Sequence, residues 1–109
     1  MKSITSHLES YKSVIIKSYK AFFASDGSDH VSEMITAFEN EVKFNAGRKY
    51  IKVTTKGTVH SFIVVGKDKD FAYGDILKAA SYNAPARNFA RANIFDAESY
   101  SKVSWTGAA

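Results

Sequence analysis

Apolar residues recur at three- and four-residue steps in the first part of the chain, which is the period of a helix that buries one face. This stripe predicts a first helix that begins near Ser3 or Ser6 and ends by the turn-forming residues 25–28; its members are Ile4, Leu8, Tyr11, Ile15, Tyr19 and Phe22. A second stripe of the same period comprises Val31, Met34, Ile35, Phe38 and Val42. Because only a short turn separates the two helices, we expect a helical hairpin with both stripes in the core.

The period changes to two after Asn45-Ala46-Gly47, which is expected to end the second helix. Alternating residues predict strands over 49–55 and 58–65, joined by a two-residue turn at Lys56-Gly57. Residues 71–73 and 76–81 have the pattern of two more strands. The expected sheet is therefore an antiparallel meander of three to four strands.

The last part of the chain predicts a short helix that begins at Asn83 and ends at Asn93. Pro85 is tolerated in a first helical turn, where no intrahelical donor is needed. The tail, with Tyr100, Val103 and Trp105, is expected to dock on the domain. We therefore expect one α+β domain: a helical hairpin over 1–46, strands over 47–82, and a short helix and docked tail over 83–109.

Composition agrees with one globular domain and excludes several classes of site. Of the 109 residues, 45% are hydrophobic and 24% are charged, and none is cysteine, so disulfides, thiolate metal sites and cysteine nucleophiles are excluded. The apolar run Val14 to Ala24 is interrupted by Lys17 and Lys20, which is not typical of a signal peptide. No run approaches the length of a membrane span, so no membrane partner is expected.

No catalytic signature is present. The three histidines are scattered, and the HExxH, Walker and GxGxxG patterns are missing, so we expect no metal, no cofactor and no enzyme activity. His60 alternates with Phe62, so it is expected to lie on the same face as Phe62. We expect it to be a hydrogen-bonded histidine of the strand and not a catalytic base. A trio of Asp75, His60 and Ser81 can be written down, but without geometry it carries no weight.

The basic excess is concentrated in the middle of the chain. The net charge is +4, and residues 47–73 alone carry six Lys or Arg against two Asp. This asymmetry permits an anionic partner, and a solubilising lysine-rich face explains it equally well.

A basic surface with one aromatic side chain is predicted from these residues. A helix start near Asn83 offers free N–H groups to an anion, and arginine suits phosphates. Tyr82 is suited to stacking on a base or anchoring a protein. The nucleic-acid or anion-binding set comprises Lys78, Tyr82, Arg87, Arg91, Arg48, Lys49, Lys52 and Lys56. Alternatively, Arg87 and Arg91 pair with Asp75, Asp96 or Glu98 and only hold the helix in place.

Residues 49–105 resemble a family of small uncharacterised proteins of tailed phages. The resemblance lies in the strings YIK at 50–52, VHSFI at 59–63, GDILKAASY at 74–82, APAR at 84–87, AR at 90–91, and Asn93. That family has Trp where Tyr82 stands, so a flat aromatic is kept, and the two N-terminal helices look like an addition. It has no assigned activity, so no catalytic residue is carried over. The resemblance implies a viral origin and the host cytoplasm.

Small accessory phage proteins usually act by binding, so the sequence predicts a non-enzymatic binding module, most of all for nucleic acid. The alternative is a protein-interaction module, an inhibitor or adaptor that acts on a host or phage protein. The choice between DNA and RNA stays open. The oligomeric state also stays open, because an exposed edge strand can pair with another copy.

Overall fold

One long helix lies across an antiparallel sheet, and a shorter helix leads into the first strand. The computed structural model describes residues 4–22, 29–55, 57–104 and 107–108. Helix α1 spans Ile4–Phe22 and helix α2 spans Asp29–Glu41. The predicted α+β class is confirmed.

Six strands form the main sheet. They are β1 (Lys43–Ala46), β2 (Tyr50–Thr55), β3 (Thr58–Val64), β4 (Asp75–Ser81), β5 (Ala84–Pro85) and β6 (Ala92–Asn93). Strands β1 to β5 are neighbours in chain order, and β6 pairs with β4 beside β5. A 3₁₀ helix at Ala97–Lys102 then leads to a small hairpin of β7 (Val103–Ser104) and β8 (Gly107–Ala108).

The two faces of the sheet differ in what covers them. Ile51, Ile63 and Ile76 are cross-strand partners on the face that α1 covers, here called the helix face. Lys52, Phe62 and Leu77 are partners on the opposite, outer face. The main core lies on the helix face and comprises Tyr11, Ile15, Tyr19, Phe38, Val42, Ile51, Val53, Ile63, Ile76, Ala92, Ile94, Tyr100 and Val103.

The predicted apolar stripe of α1 is largely buried. Tyr11, Ile15 and Tyr19 are almost fully inaccessible, and Ile4 and Leu8 are partly covered. Phe22, at the end of the helix, is 65% exposed, so the stripe is longer than the buried surface.

The helices do not pack as the predicted hairpin. The rings of Tyr19 and Phe38 stack with centroids 4.1 Å apart, and Lys20 pairs with Glu39 at 3.8 Å. In a side-by-side antiparallel hairpin, the last turn of α1 would instead face the first turn of α2. These described contacts therefore indicate crossing helices.

The second helix also ends earlier than expected. Residues 43–46 form strand β1, and Phe44 pairs with Val53, which directs its ring toward the helix-face core. Pairing with the next strand, β2, gives this segment cross-strand backbone bonds that helix propensity does not anticipate. Residues 71–73, predicted as a strand, form a turn in which Ala72 N donates to Asp75 Oδ2 at 2.9 Å.

The predicted C-terminal helix is wrong, because the segment from 84 to 93 covers the edge of β4. Ala86 N donates to Lys78 O at 2.7 Å and Arg91 N donates to Ile76 O at 2.8 Å. A helix would leave these strand carbonyls without partners, which is costly when they are buried. Pro85 occupies an edge strand, where its missing N–H is tolerated. Residues 87–90 leave the edge, and Ala90 packs on the outer face.

A β-bulge in β3 redirects one polar side chain. Val53 pairs with Ser61 and Thr54 pairs with Val59, so His60 is the extra residue. A bulge breaks the strict alternation of a strand. His60 therefore joins Ser61 beside α1, and its predicted position on the face of Phe62 is wrong.

Two glycines provide a matched test of close packing. Gly57 and Gly74 have φ of 80° and 90°, which side chains rarely adopt. A Cβ on Gly57 would meet nothing within 4 Å, whereas one on Gly74 would lie 2.7 Å from the ring of Phe95. We expect Gly57→Ala to cost about 1–2 kcal/mol of backbone strain. Gly74→Ala adds overpacking of about 1–3 kcal/mol to that strain. Urea unfolding of both variants measures the difference, and equal losses would show that Phe95 yields freely.

Candidate functional site

An exposed tyrosine with a lysine held over its ring marks the outer face. Tyr82 follows β4 and is 58% exposed. The ammonium of Lys52, from the middle of β2, lies 4.3 Å from the centroid of its ring. Lys52 Nζ also donates to Asn83 Oδ1 at 3.1 Å. Two interactions therefore position this cation, and an ammonium over an aromatic face is itself favourable.

The part of the outer face formed by β1 and β2 is polar and open. Cross-strand register places Lys43 opposite Thr54 and Asn45 opposite Lys52, all on this face. Asn45 Nδ2 donates to Thr54 Oγ1 at 3.3 Å, which confirms that these side chains are neighbours. Strands β1, β2 and β3 contain no Asp or Glu. We call Lys43, Asn45, Lys52, Thr54 and Tyr82 the basic platform.

Asp68 pairs with two of the cations that the sequence assigned to the site. Its side chain is 1% exposed, and its Oδ2 lies 2.9 Å from Arg87 Nη2 and 3.3 Å from Lys49 Nζ. Its Oδ1 accepts from Asp70 N at 2.9 Å and from Arg87 Nη2 at 3.0 Å. The backbone bond from Asp70, with help from the two cations, lowers the pKa of Asp68 to about 2. Arg87 and Lys49 are therefore engaged inside the domain.

Further contacts of Arg87 hold the irregular residues 86–91 in place. Its Nη1 donates to the hydroxyl of Tyr50, and its guanidinium lies 4.9 Å from the ring centroid of Phe71. Asp70 Oδ2 lies 3.7 Å from its Nη2. The internal pairing proposed as an alternative for Arg87 is thus present, although the acids are Asp68 and Asp70 and not Asp75, Asp96 or Glu98.

Arg91 is placed differently from Arg87. Its guanidinium lies 3.9 Å from the ring centroid of Phe89, which is 52% exposed, and its Nη2 donates to Asn88 Oδ1 at 3.4 Å. Its Nε is buried without a hydrogen-bond partner among the described residues. No helix brings Arg87 and Arg91 to a common face, because residues 86–91 are irregular.

The remaining members of the predicted set are dispersed. Lys78 pairs with Ser61, which places it on the helix face, away from Lys52 and Tyr82. Arg48 is exposed in the connection between β1 and β2. Lys56 lies outside the described residues. The structure thus brings Lys52 and Tyr82 together, and it joins Lys49 to Arg87 through Asp68.

Sequence reasoning missed Lys43, Asn83 and Asp68. Lys43 was assigned to a helix, and its contribution appears only through the register of β1. Asn83 was taken as a helix cap, although Ala84 precedes a proline and such residues disfavour helical geometry. Asp68 carried no signal beyond its charge, since its two partners are 19 residues away in each direction along the chain.

The buried histidine is part of a directed hydrogen-bond chain. His60 Nε2 lies 2.6 Å from the carbonyl oxygen of Ser104, so Nε2 donates and Nδ1 is left to accept. The hydroxyl of Ser61 then donates to Nδ1 at 2.9 Å and accepts from the Tyr11 hydroxyl at 2.8 Å. Burial lowers the pKa of His60 and raises the pKa of Tyr11. The trio with Asp75 and Ser81 does not form, because Asp75 binds Asn93 and Ala72 instead.

Within the described residues, no three His, Asp or Glu side chains cluster as metal ligands. No described helix combines the length and apolar character needed to cross a bilayer.

The pKa of Asp68 provides a test of the ion pair between Asp68 and Arg87. We expect Arg87→Ala to raise the pKa of Asp68 from about 2 toward its ordinary value, because one of its cations is lost. The backbone bond from Asp70 remains, so the rise is partial. NMR titration of the Asp68 carboxyl carbon measures it. Arg91→Ala is the matched control and should leave the value unchanged; a rise of equal size in both variants would contradict the pairing.

The buried histidine predicts loss of stability in mild acid. Its pKa is lowered in the folded protein, so below about pH 6.5 the unfolded chain binds a proton that the native chain does not. The free energy of unfolding should fall with pH from about 6.5 down to the lowered pKa, by at most about 1.4 kcal/mol per pH unit. Urea unfolding across this range measures the slope. His60→Gln should flatten it, whereas His7→Gln should retain it.

The family model described as a family of unknown function (DUF7717) matches residues 1–109, so the chain belongs to that family. The matched region includes both helices, which the phage resemblance treated as an addition. No curated protein and no solved structure matches the chain.

Proposed function

We propose that this member of DUF7717 is a nucleic-acid-binding module that uses the basic platform on its outer face. The observation that carries the proposal is the position of Lys52, whose ammonium lies 4.3 Å from the ring centroid of the exposed Tyr82. A positioned cation beside an exposed aromatic ring offers one group to a phosphate and another to a base.

The charges of the outer face support an anionic ligand. The described ion pairs of this face engage Lys49 and Arg87, and they leave Lys43, Lys52 and Arg48 outside them. Since β1 to β3 contain no acidic residue, the lysines of β1 and β2 face a sheet surface without local neutralisation. Such a one-sided arrangement attracts polyanions over a distance of about 10 Å at moderate salt.

The proposed binding surface contains fewer of the cations than the surface predicted from the sequence. Lys49 and Arg87 are bound to Asp68, and Arg87 also lies near Asp70, so these two cations position the segment that follows Tyr82 and are offset by two carboxylates. Lys78 lies on the opposite side of the sheet. Lys43 and Lys52 are the cations that the proposal assigns to phosphates.

A tailed-phage origin and action in the host cytoplasm belong to the same proposal. They are supported by the resemblance over residues 49–105 alone.

Salt dependence and lysine substitution test the phosphate contacts. Fluorescence anisotropy with a labelled single-stranded oligonucleotide should give a linear decrease of log K with log salt concentration. Lys43→Ala and Lys52→Ala should each weaken binding and reduce the size of that slope by about 0.7, the value for one lost single-strand phosphate contact.

Lys17→Ala is the matched control, because Lys17 is an exposed lysine of α1. It removes the same charge from the other side of the molecule and should leave the slope unchanged. An equal effect of Lys17→Ala and Lys52→Ala would mean that only net charge matters. Absence of binding at low salt would overturn the proposal.

A protein-interaction module is the second candidate, and Phe89 favours it. Its ring is 52% exposed beside the guanidinium of Arg91, and protein interfaces are enriched in aromatic residues and arginine. Capture of one defined protein that survives nuclease and high salt, and is lost in Phe89→Ser, would favour this function over nucleic-acid binding.

A further inference from the structure

We propose that the nucleic acid is bound as a single strand, and that one unpaired base occupies a depression beside Tyr82 at the diverging ends of β3 and β4. This inference rests on the proposed function and adds the class of ligand and the position of a base.

The depression exists because the β2–β3 pair and the β4–β5 pair move apart at one end of the sheet. Strands β3 and β4 pair only from Ser61–Lys78 to Ile63–Ile76. Beyond that point β3 continues beside β2 as far as the Thr55–Thr58 pair, and β4 turns to β5 at Ala79 and Ser81. The bulge at His60 falls where the pairs part. An open depression of about 310 Å³ remains between them.

None of the side chains that line the depression is charged, and Tyr82 supplies the aromatic ring among them. The lining includes Gly57, Thr58, Ala79, Ala80, Ser81 and Tyr82. Gly57 is so open that an added Cβ would meet nothing within 4 Å. Short side chains allow a flat base to approach the backbone, and the hydroxyl groups of Thr58 and Ser81 offer polar partners to its edge.

The ring of Tyr82 connects the depression to the platform. Lys52 contacts the ring but does not line the depression, so the base and the ammonium meet the ring at different places. A strand can therefore place a base against Tyr82 and an adjacent phosphate near Lys52. Base stacking on aromatic side chains requires a base that is not enclosed in a duplex. A duplex would reach only the lysines, so the geometry favours a single strand.

The experiment compares two ligands and three variants. A labelled single strand of about 12 nucleotides, within the range of small single-strand sites, is titrated beside a blunt duplex of the same sequence at one salt concentration. We expect the single strand to bind at least about tenfold more tightly. Tyr82→Ala should weaken single-strand binding about 5- to 100-fold and change duplex binding little. Tyr82→Phe should retain most of the affinity.

Filling the depression tests the position of the base without removing a charge or the ring. Ala80 is exposed and lines the depression, so Ala80→Leu should weaken single-strand binding and spare duplex binding. Ala37→Leu is the matched control, because Ala37 is an exposed alanine of α2 on another surface. Circular dichroism and urea unfolding confirm that each variant is folded before its affinity is compared.

The possible outcomes separate the two proposals. Equal affinity for both ligands, with Tyr82→Ala neutral and Lys52→Ala still harmful, overturns the base site and leaves phosphate binding intact. Loss of single-strand affinity in Tyr82→Ala but not in Ala80→Leu places the base elsewhere on the ring and overturns the depression as its site. Absence of binding to either ligand overturns both proposals.

Discussion

The backbone edge of β4 is the constraint on which the outer face depends. Its carbonyls at Gly74, Ile76 and Lys78 accept hydrogen bonds from Ile94, Arg91 and Ala86, all from one later segment of the chain. Because these hydrogen bonds come from the two ends of that segment, residues 84–93 are extended at both ends and irregular between them. The irregular residues then fold over the outer face, where Arg87 reaches Asp68 and Ala90 packs against the buried cluster of Phe62, Val64 and Leu77. One edge thus determines both how the sheet ends and which cations remain accessible.

A chain of hydrogen bonds connects three parts of the protein that are distant in the sequence. The hydrogen bonds of Tyr11, Ser61, His60 and Ser104 join α1, β3 and β7 in a largely buried region. Each group has a partner of the correct sense only when the imidazole is neutral and protonated on Nε2. Buried polar chains of this kind are costly when half satisfied, so they favour one arrangement of the elements over alternatives of similar hydrophobic content. The bulge at His60 is what gives β3 two polar side chains on one side.

Local periodicity was enough to predict α1, α2 and strands β2 to β4, because each has a regular pattern of burial on one side. It failed where pairing at the edges of the sheet overrode a local pattern compatible with a helix. Residues 43–46 and 84–93 have acceptable helical sequences, yet both contribute strands to sheet edges whose partners lie elsewhere in the chain. The candidate site was predictable in part, because the sequence named both Lys52 and Tyr82. The pairing of Lys49 and Arg87 with Asp68 depends on a loop contact that has no sequence period.

The contact between α1 and the last strands has a consequence for synthesis of the chain. The ring of Tyr11 meets that of Tyr100 with centroids 5.7 Å apart, so a residue of α1 packs against a residue of the 3₁₀ helix far along the chain. Contacts between residues so far apart slow folding, because the intervening loop must close first. During translation α1 emerges before the strands that cover its apolar face, and the part around Tyr11 stays incompletely covered until residues near Tyr100 have left the ribosome. The nascent chain therefore has a long interval in which a chaperone, or a second nascent copy, can occupy that face.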